Sequence, residues 1–259
     1  MGNDCRSCDR NIELRYIQGL ISSTLGDNVA KCEQYIMNTS DNNEFQLNMD
    51  FTQGVCLRPD NQEWVTSPAD GVSRVHLERV AEESGHVTSF VTFAPGSSFP
   101  EHCHHQGEEI YVLEGVFSDE YGDYPAGTYI RNPPGTKHTP FTKNGCKLFV
   151  KLEQFQSEDL EPVIIRPDGQ QWTAGIGGLK VLSLHTFGTE STALVAWPKN
   201  EVFQKHRHMG GEEIVVISGL FIDEYGEYPA GSWLRSPHMS QHFPRVEEET
   251  LIYVKVGHL

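Results

Sequence analysis

The chain carries one pattern of histidines, glutamates and turn residues twice, and this repeat limits how it can fold. The first and last histidines of the pattern are His102 and His138 in one copy and His206 and His242 in the other, 36 positions apart in both. Two further pairs of segments match, namely Phe117–Gly127 with Phe221–Gly231 and Arg58–Trp64 with Arg166–Trp172. Such self-similarity indicates a duplicated domain, with roughly 100 residues in each copy.

Within each copy, the spacing of the histidines and of one glutamate predicts a metal site. His102 and His104 project from one face of an extended strand, because strand side chains alternate. Glu108 stands at even spacing from both and points the same way if the extended backbone continues to it, and a Pro-x-Gly turn before His138 could bring that imidazole back toward them. The predicted ligands are His102, His104, Glu108 and His138 in the first copy and His206, His208, Glu212 and His242 in the second.

The segments around these motifs have the pattern of an all-β protein. From residue 57 onward, short runs rich in β-branched and aromatic residues alternate with turns that contain Gly, Pro, Asn and Asp. Regular short strands in this number predict a closed sandwich or barrel in each copy.

The motifs resemble the two signature motifs of the cupin superfamily. The first, Gly-x5-His-x-His-x3-Glu-x6-Gly, covers Gly96–Gly115, and the second, Gly-x5-Pro-x-Gly-x2-His, covers Gly127–His138 without the asparagine that often closes it. The runs Gly-Glu-Glu-Ile and Glu-Gly-x-Phe-x-Asp-Glu-Tyr-Gly are similar to ChrR-like cupins, a family that includes zinc-binding anti-sigma factor domains and small non-haem dioxygenases. The resemblance implies two tandem cupin barrels, that is, double-stranded β-helices of the jelly-roll type.

Residues 1–56 lie outside the repeat and are expected to form a short helical extension. Apolar residues recur at helical spacing over 12–25 and 27–37, whereas 44–55 is compatible with an added strand. The predicted domains are 1–56 for the extension, 57–156 for the first cupin and 162–259 for the second. We interpret Cys5 and Cys8 as an inert, solvated pair. The zinc-binding run of the anti-sigma factors has a histidine four residues before this position, where the chain has Met1, which argues against sigma-factor binding without excluding it.

The charge balance disfavours binding to nucleic acids and to anionic membranes. The chain has 36 acidic and 20 basic residues and a formal net charge of -16, whereas phosphate binding needs clustered Lys and Arg. No apolar run has the length of a signal-peptide core or a membrane span, and the six cysteines show no disulfide framework, so a cytoplasmic protein is expected. The expected partners are a small-molecule substrate or effector and, as the superfamily resemblance implies, a second copy of the chain in a homodimer.

Three imidazoles and one carboxylate suit several divalent metals. Fe, Zn, Mn and Ni all accept this ligand set, and the ligand types alone do not choose among them. The first interpretation is a small-molecule oxygenase, in which Fe or Mn keeps room for substrate and O₂. The alternative is a non-catalytic zinc-binding sensor related to the anti-sigma factors, and a metal-dependent isomerase or lyase also fits the fold. No catalytic residue beyond the ligands is assigned.

Several residues beside the predicted ligands carry separate expectations. Glu109 and Glu213 face the opposite side of their strands and are expected to be solvated or salt-bridged. Cys103 and His105 point away from the metal if the strand is regular. Asp119, in the repeated Asp-Glu-Tyr-Gly segment, is expected to shape a hairpin rather than to take part in chemistry.

The second copy departs from the first at the turn before its last histidine. Met239 replaces Gly135 there, and a residue with a side chain enters a left-handed backbone less readily than glycine. The sequence therefore predicts a different turn in the second copy, metal in both copies, and any catalysis in the first.

Overall fold

The computed structural model describes residues 46–81 and 85–259, where strands and their turns are accompanied by two single-turn 3-10 helices. The elements of the first repeat are β1 (Val55–Leu57), a 3-10 helix (Pro59–Asn61), β2 (Val65–Thr66), β3 (Val72–Arg79), β4 (Val87–Phe93), β5 (His102–Cys103), β6 (Glu108–Asp119), β7 (Gly122–Pro125), β8 (Tyr129–Asn132), β9 (Lys137–His138) and β10 (Cys146–Leu152). Those of the second repeat are β11 (Val163–Ile165), a 3-10 helix (Pro167–Gly169), β12 (Thr173–Ala174), β13 (Lys180–Phe187), β14 (Glu190–Trp197), β15 (His206–Arg207), β16 (Glu212–Ser218), β17 (Leu220–Asp223), β18 (Gly226–Pro229), β19 (Trp233–Ser236), β20 (Gln241–His242), β21 (Arg245–Val246) and β22 (Thr250–Val256).

Each repeat forms one long antiparallel sheet and shorter ones that carry the histidine motifs. The long sheets have the strand orders β11-β8-β6-β10-β4-β3-β2 and β1-β19-β16-β22-β14-β13-β12. The short pairs β5-β9 and β15-β20 each contain two of the predicted histidine ligands. This is the predicted all-β architecture of two tandem jelly-roll barrels.

The two repeats exchange their first strands. β1 is the first strand of the first repeat but pairs with β19 of the second, and β11 is the first strand of the second repeat but pairs with β8 of the first. Beyond the strands, Arg58 Nε donates to Glu227 O at 2.8 Å, and Gln62 Nε2 donates to Gly231 O at 2.7 Å. The repeated upstream segment therefore holds the opposite repeat, and each long sheet is complete only when both repeats are present.

Alternation along the strands divides the apolar residues between three cores. On β4, Val91 and Phe93 pack inside the first barrel, whereas Phe90 joins a core that contains residues of both repeats. Tyr111 of the first repeat and Tyr253 of the second lie in that shared core, with ring centroids 6.0 Å apart. The two barrels therefore pack through a shared apolar layer.

Buried ion pairs also cross between the repeats. Glu109 Oε2 lies 2.8 Å from Lys255 Nζ and 3.2 Å from Arg131 Nη1, and Glu213 makes the equivalent pair with Lys151 Nζ at 2.6 Å. Burial opposes the charge on Glu109, but Lys255 and Arg131 outweigh it and hold the pKa of that carboxyl well below its usual range. Glu109 and Glu213 are thus salt-bridged rather than solvated, and each has its lysine partner in the other repeat.

The helices predicted over 12–25 and 27–37, together with the Cys5 and Cys8 pair, lie outside the described residues. Within the described part of the predicted strand 44–55, Leu47 forms an isolated bridge to Arg79 and Val55 begins β1, while Asp50 Oδ1 accepts from Thr52 N in a turn. Among the described residues, no helix is long and apolar enough to cross a membrane.

Candidate metal centres

The first candidate centre brings together all four ligands predicted for the first repeat. His102 on β5 lies opposite His138 on β9, and Glu108 begins β6. The donor atoms of these residues and of His104 lie within 4.8 Å of one another. His104 Nε2 and His138 Nε2 are 3.2 and 3.4 Å from Glu108 Oε2, so three side chains converge on one point.

Hydrogen bonds at Nδ1 determine which nitrogen of each histidine is available to a metal. His102 Nδ1 lies 3.0 Å from Pro100 O, and His138 Nδ1 lies 3.3 Å from Asp119 Oδ2. Carbonyl and carboxylate oxygens only accept, so both Nδ1 atoms donate. The lone pairs of the neutral rings are therefore at Nε2, the side that faces the other ligands.

The same logic applies to His104, whose ring is buried. Its Nδ1 lies 2.9 Å from Thr136 Oγ1, and that hydroxyl already donates to Pro133 O at 2.7 Å. The hydroxyl therefore accepts from His104 Nδ1. The Nε2 atoms of His104 and His138 are buried and have no hydrogen-bond partner in the part of the chain that the structure describes. Buried polar atoms without partners are costly, and a divalent metal between the four side chains would satisfy both.

The buried histidines of the first centre differ in their electrostatics. Burial, and then the neighbouring histidines, lower the pKa of His104 despite the charge of Glu108, which keeps its ring neutral. Burial also disfavours charge on His138, but the hydrogen bond to Asp119 and the charge of Glu108 raise its pKa. Metal and proton compete for Nε2, so His104 keeps its Nε2 available to a metal at lower pH than His138 does.

The second candidate centre repeats this geometry with the predicted ligands of the second repeat. Glu212 Oε2 lies 3.4 Å from His208 Nε2 and 3.6 Å from His242 Nε2, and His206 Nε2 lies 3.1 Å from His208 Nε2. Burial lowers the pKa of His208 to about 4, so its ring is neutral. The buried Glu212 Oε2 has no hydrogen-bond partner among the described residues, which again fits a cation.

The Nδ1 atoms of the second centre contact the same types of group as those of the first centre. His208 Nδ1 lies 3.0 Å from Ser240 Oγ, where the first repeat has a threonine, and His242 Nδ1 lies 3.3 Å from Asp223 Oδ2. His206 Nδ1 lies 3.0 Å from Gln204 O. Both centres thus present three Nε2 atoms and one carboxylate oxygen.

The turn before the last histidine is the same in the two repeats, so the prediction that it differs was wrong. Met239 has φ 64° and Gly135 has φ 85°, both in the left-handed region. Met239 N donates to His208 O at 2.8 Å, and Gly135 N donates to His104 O at 2.8 Å. The hydrogen bond to the ligand-bearing strand offsets the left-handed backbone, which costs a residue with a side chain roughly 1–2 kcal/mol. The Met239 side chain is exposed.

Comparison with known proteins identifies the family. The family model described as ChrR Cupin-like domain matches residues 52–156 and again residues 160–259. The chain belongs to this cupin family. Among curated proteins, no sequence matches the chain significantly.

Solved cupin-fold structures resemble the whole tandem arrangement. A provisionally named dioxygenase from Nostoc punctiforme PCC 73102 is 14% identical with a TM-score of 0.66, covering 79% of this chain and 82% of that one. Protein YlbA from E. coli is 14% identical with a TM-score of 0.62 over 80% and 92% of the two chains. A deletion mutant of the oxalate decarboxylase OxdC from Bacillus subtilis is 15% identical with a TM-score of 0.57 over 78% and 76%. At these identities the likeness establishes the fold.

The first cupin contains a cavity of about 400 Å³ that reaches its metal centre. His102, Glu108 and His138 belong to the lining of this cavity. Cys103 and His105 also border it, although neither belongs to the group of four converging ligands. The remaining walls are mainly apolar and include Val72, Val91, Phe93, Ile110, Phe117 and Leu148.

Two residues have roles that the sequence analysis missed. Asp119 was expected only to shape a hairpin, and its Oδ1 does accept from Tyr121 N at 2.8 Å, but its Oδ2 faces His138. Its presence in both copies at the same spacing from the last histidine was an available signal. Ser89 lines the cavity from β4, and a serine within an apolar strand gave no comparable signal.

Proposed function

We propose that the chain is a metal-dependent small-molecule oxygenase whose reaction takes place in the first cupin. The observation that carries the proposal is the position of three imidazoles and one carboxylate at a largely apolar cavity of about 400 Å³. Cavities of this size with few polar groups bury most of a small ligand. A bound divalent metal such as Fe or Mn would supply Lewis acidity, redox chemistry toward O₂ and open positions for a bidentate substrate such as an enolate or a diketone.

The chain's own residues would orient the ligands and exclude water. Asn132 Nδ2 donates to Glu108 Oε2 at 2.9 Å, which holds the carboxylate in place. Asp119 and Thr136 hold the rings of His138 and His104 by their Nδ1 atoms. Partners of this kind fix ring orientation and make Nε2 a better donor.

Differences between the repeats favour the first cupin as the reactive one. Trp197 of the second repeat is equivalent to Phe93 of the first. Trp197 pairs with Thr250 at the start of β22, and Phe93 pairs with Cys146 at the corresponding position of β10. Trp197 is buried and lies 5.6 Å from the ring of Phe221. The larger side chain occupies more of the second barrel, which supports a mainly structural or regulatory role for the second metal.

Oxygen uptake by metal-loaded protein tests the proposal. The chain is loaded anaerobically with Fe(II) and mixed with a panel of small β-diketones in an oxygen electrode. We expect uptake that is lost in His102→Ala and retained in His206→Ala, since only the first centre borders the cavity described above. Stoichiometric zinc in protein from unsupplemented cells, together with no uptake after loading with Fe(II) or Mn(II), would instead favour the zinc-binding sensor.

A further inference from the structure

We propose that Ser89 is a second recognition point in the first cupin, which binds a neutral oxygen of the substrate at the end remote from the metal. This inference rests on the proposed function, because it assumes that one end of the substrate chelates a metal at the first centre. It adds a substrate class: an apolar molecule with a chelating pair of oxygens at one end and a hydroxyl or carbonyl oxygen at the other.

The side chain of Ser89 faces the cavity. Val87, Ser89, Val91 and Phe93 all line it, and alternate residues of a strand share one face. The residues between them face the other way, as the position of Phe90 in the shared core shows.

Ser89 has an unmet hydrogen bond. The residue is 2% exposed, and its Oγ has no hydrogen-bond partner among residues 46–81 and 85–259. A buried hydroxyl without a partner costs about 1–3 kcal/mol, so such groups in native proteins call for an explanation. A substrate oxygen in the cavity would provide the missing partner.

Strand register places Ser89 away from the metal centre. Ser89 pairs with Val150 on β10, and Val150 pairs with Ile110 on β6, two residues beyond Glu108 on the same face. Two strand spacings separate Ser89 from Ile110, which is roughly 10 Å. A substrate that reaches both the metal and Ser89 must therefore extend across the sheet.

Both arginines that line the cavity already have partners, and the guanidinium of Arg74 lies 5.7 Å from the centroid of the Phe99 ring. Arg79, which lines the cavity, contacts the ring of His76 through Nη1 at 2.7 Å and donates through Nε to Ala81 O at 2.9 Å. His76 on β3 pairs with Ser89 across the sheet. Burial, and then the charge of Arg79, lower the pKa of His76 to about 4. The ring is therefore neutral and accepts from the guanidinium of Arg79. The side chains before and after Ser89 on the cavity face are valines, so a neutral oxygen suits this position better than a carboxylate, which would be buried against a single hydroxyl.

The second repeat lacks this recognition point. Ala193 pairs with Val254, the equivalent of Val150, so Ala193 occupies the position of Ser89. The chain thus contains the Ser-to-Ala replacement in a barrel of the same fold. Replacement of Ser89 by alanine removes an unpartnered hydroxyl and is expected to preserve folding.

A binding experiment with two matched probes tests the inference. The full chain is loaded anaerobically with Co(II), and chelation is followed by visible absorption during titration with 1-phenylbutane-1,3-dione or its 4-hydroxyphenyl analogue. The para oxygen lies one ring beyond the chelating pair. We expect the hydroxylated probe to bind wild type about 10-fold more tightly, as one neutral hydrogen bond allows, and Ser89→Ala to lose that preference while its affinity for the phenyl probe stays the same. Chelation at the second centre contributes the same absorption change in wild type and in Ser89→Ala.

Ser232→Ala is the matched control, because Ser232 Oγ is also buried without a partner but lies in the second repeat. It should leave both affinities unchanged. Equal binding of the two probes by wild type, with oxygen uptake intact, would overturn the role of Ser89 and leave the proposed function standing. Tighter binding of a 4-carboxyphenyl probe than of the hydroxyphenyl probe would also overturn it, since the arginines would then recognise the remote end. Failure of every probe to chelate would overturn the proposed function and this inference together.

Discussion

Glu108 and Glu109 are neighbours in sequence, but the first faces the metal centre and the second forms ion pairs between the repeats. Replacing each by glutamine should therefore separate metal binding from stability. Glu108 faces His104 and His138 at the first centre, whereas Glu109 faces Lys255 and Arg131 between the repeats. We expect Glu108→Gln to lose the first metal with little change in the stability of metal-free protein. We expect Glu109→Gln to keep the metal and lose stability.

The loss of unfolding free energy expected for Glu109→Gln follows from the contacts that its former partners keep. Removing one partner of a buried ion pair costs about 3–5 kcal/mol, because the other charge stays buried. Here Lys255 Nζ keeps Glu190 Oε1 at 2.7 Å and Arg131 keeps Asp159, so the lower end, about 3 kcal/mol, applies. For a chain of this size that loss lowers Tm by roughly 6–12 °C.

The assay is thermal and urea unfolding of metal-free protein, combined with metal analysis of loaded protein. Glu114→Gln is the control, because its carboxylate is exposed and lies 4.0 Å from Lys147 Nζ, so the change should fall within about 0.5 kcal/mol. A loss below about 1 kcal/mol in Glu109→Gln, or a loss of metal equal to that in Glu108→Gln, would refute the assignment of the two faces.

Three further predictions concern the centres and the buried charges. His102→Ala should reduce bound metal from two ions to one per chain by elemental analysis, and a loss of both ions would contradict independent centres. Met239→Gly should stabilise the metal-free protein by about 0.5–1 kcal/mol in urea unfolding, because it removes the cost of a left-handed backbone at an exposed side chain; an unchanged or lower midpoint would count against that cost. Lys151 and Arg235 beside Glu78, and the partners of Glu109, outweigh burial and hold the pKa values of both carboxyls well below the ordinary 4.5. The unfolded chain therefore binds protons first as pH falls below about 4.5, so stability should decrease from there downward, with a shallower slope in Glu109→Gln than in wild type.

The ligand set could be predicted because it depends on local rules. His102 and His104 lie two residues apart at the end of β5, Glu108 begins β6 four residues later, and a turn close in sequence returns His138 to them. A local prediction that failed concerned the turn at Met239. Its conformation is set by a hydrogen bond to His208 O, 31 residues earlier in the chain, rather than by the preference of the residue itself.

The roles of other residues depended on partners far away in sequence. Parity alone shows that Glu109 faces away from the metal, but not that this side meets Lys255, 146 residues later. Likewise, alternation along β4 places Ser89 and Phe90 on opposite faces of the strand. Which face borders the cavity and which face joins the shared core depends on how the sheets pack.

The sequence by itself determined the duplication, the all-β architecture and the eight converging side chains, because repeats, alternation and turn spacing are properties of neighbouring residues. Only the tertiary structure decided that the repeats exchange first strands, that their buried charges pair across the interface, and that the first barrel keeps a cavity with an unpartnered hydroxyl. The physical reason is that edge pairing, desolvation and packing volume are settled when two folded sheets meet, and no local pattern of residues specifies which surfaces will do so.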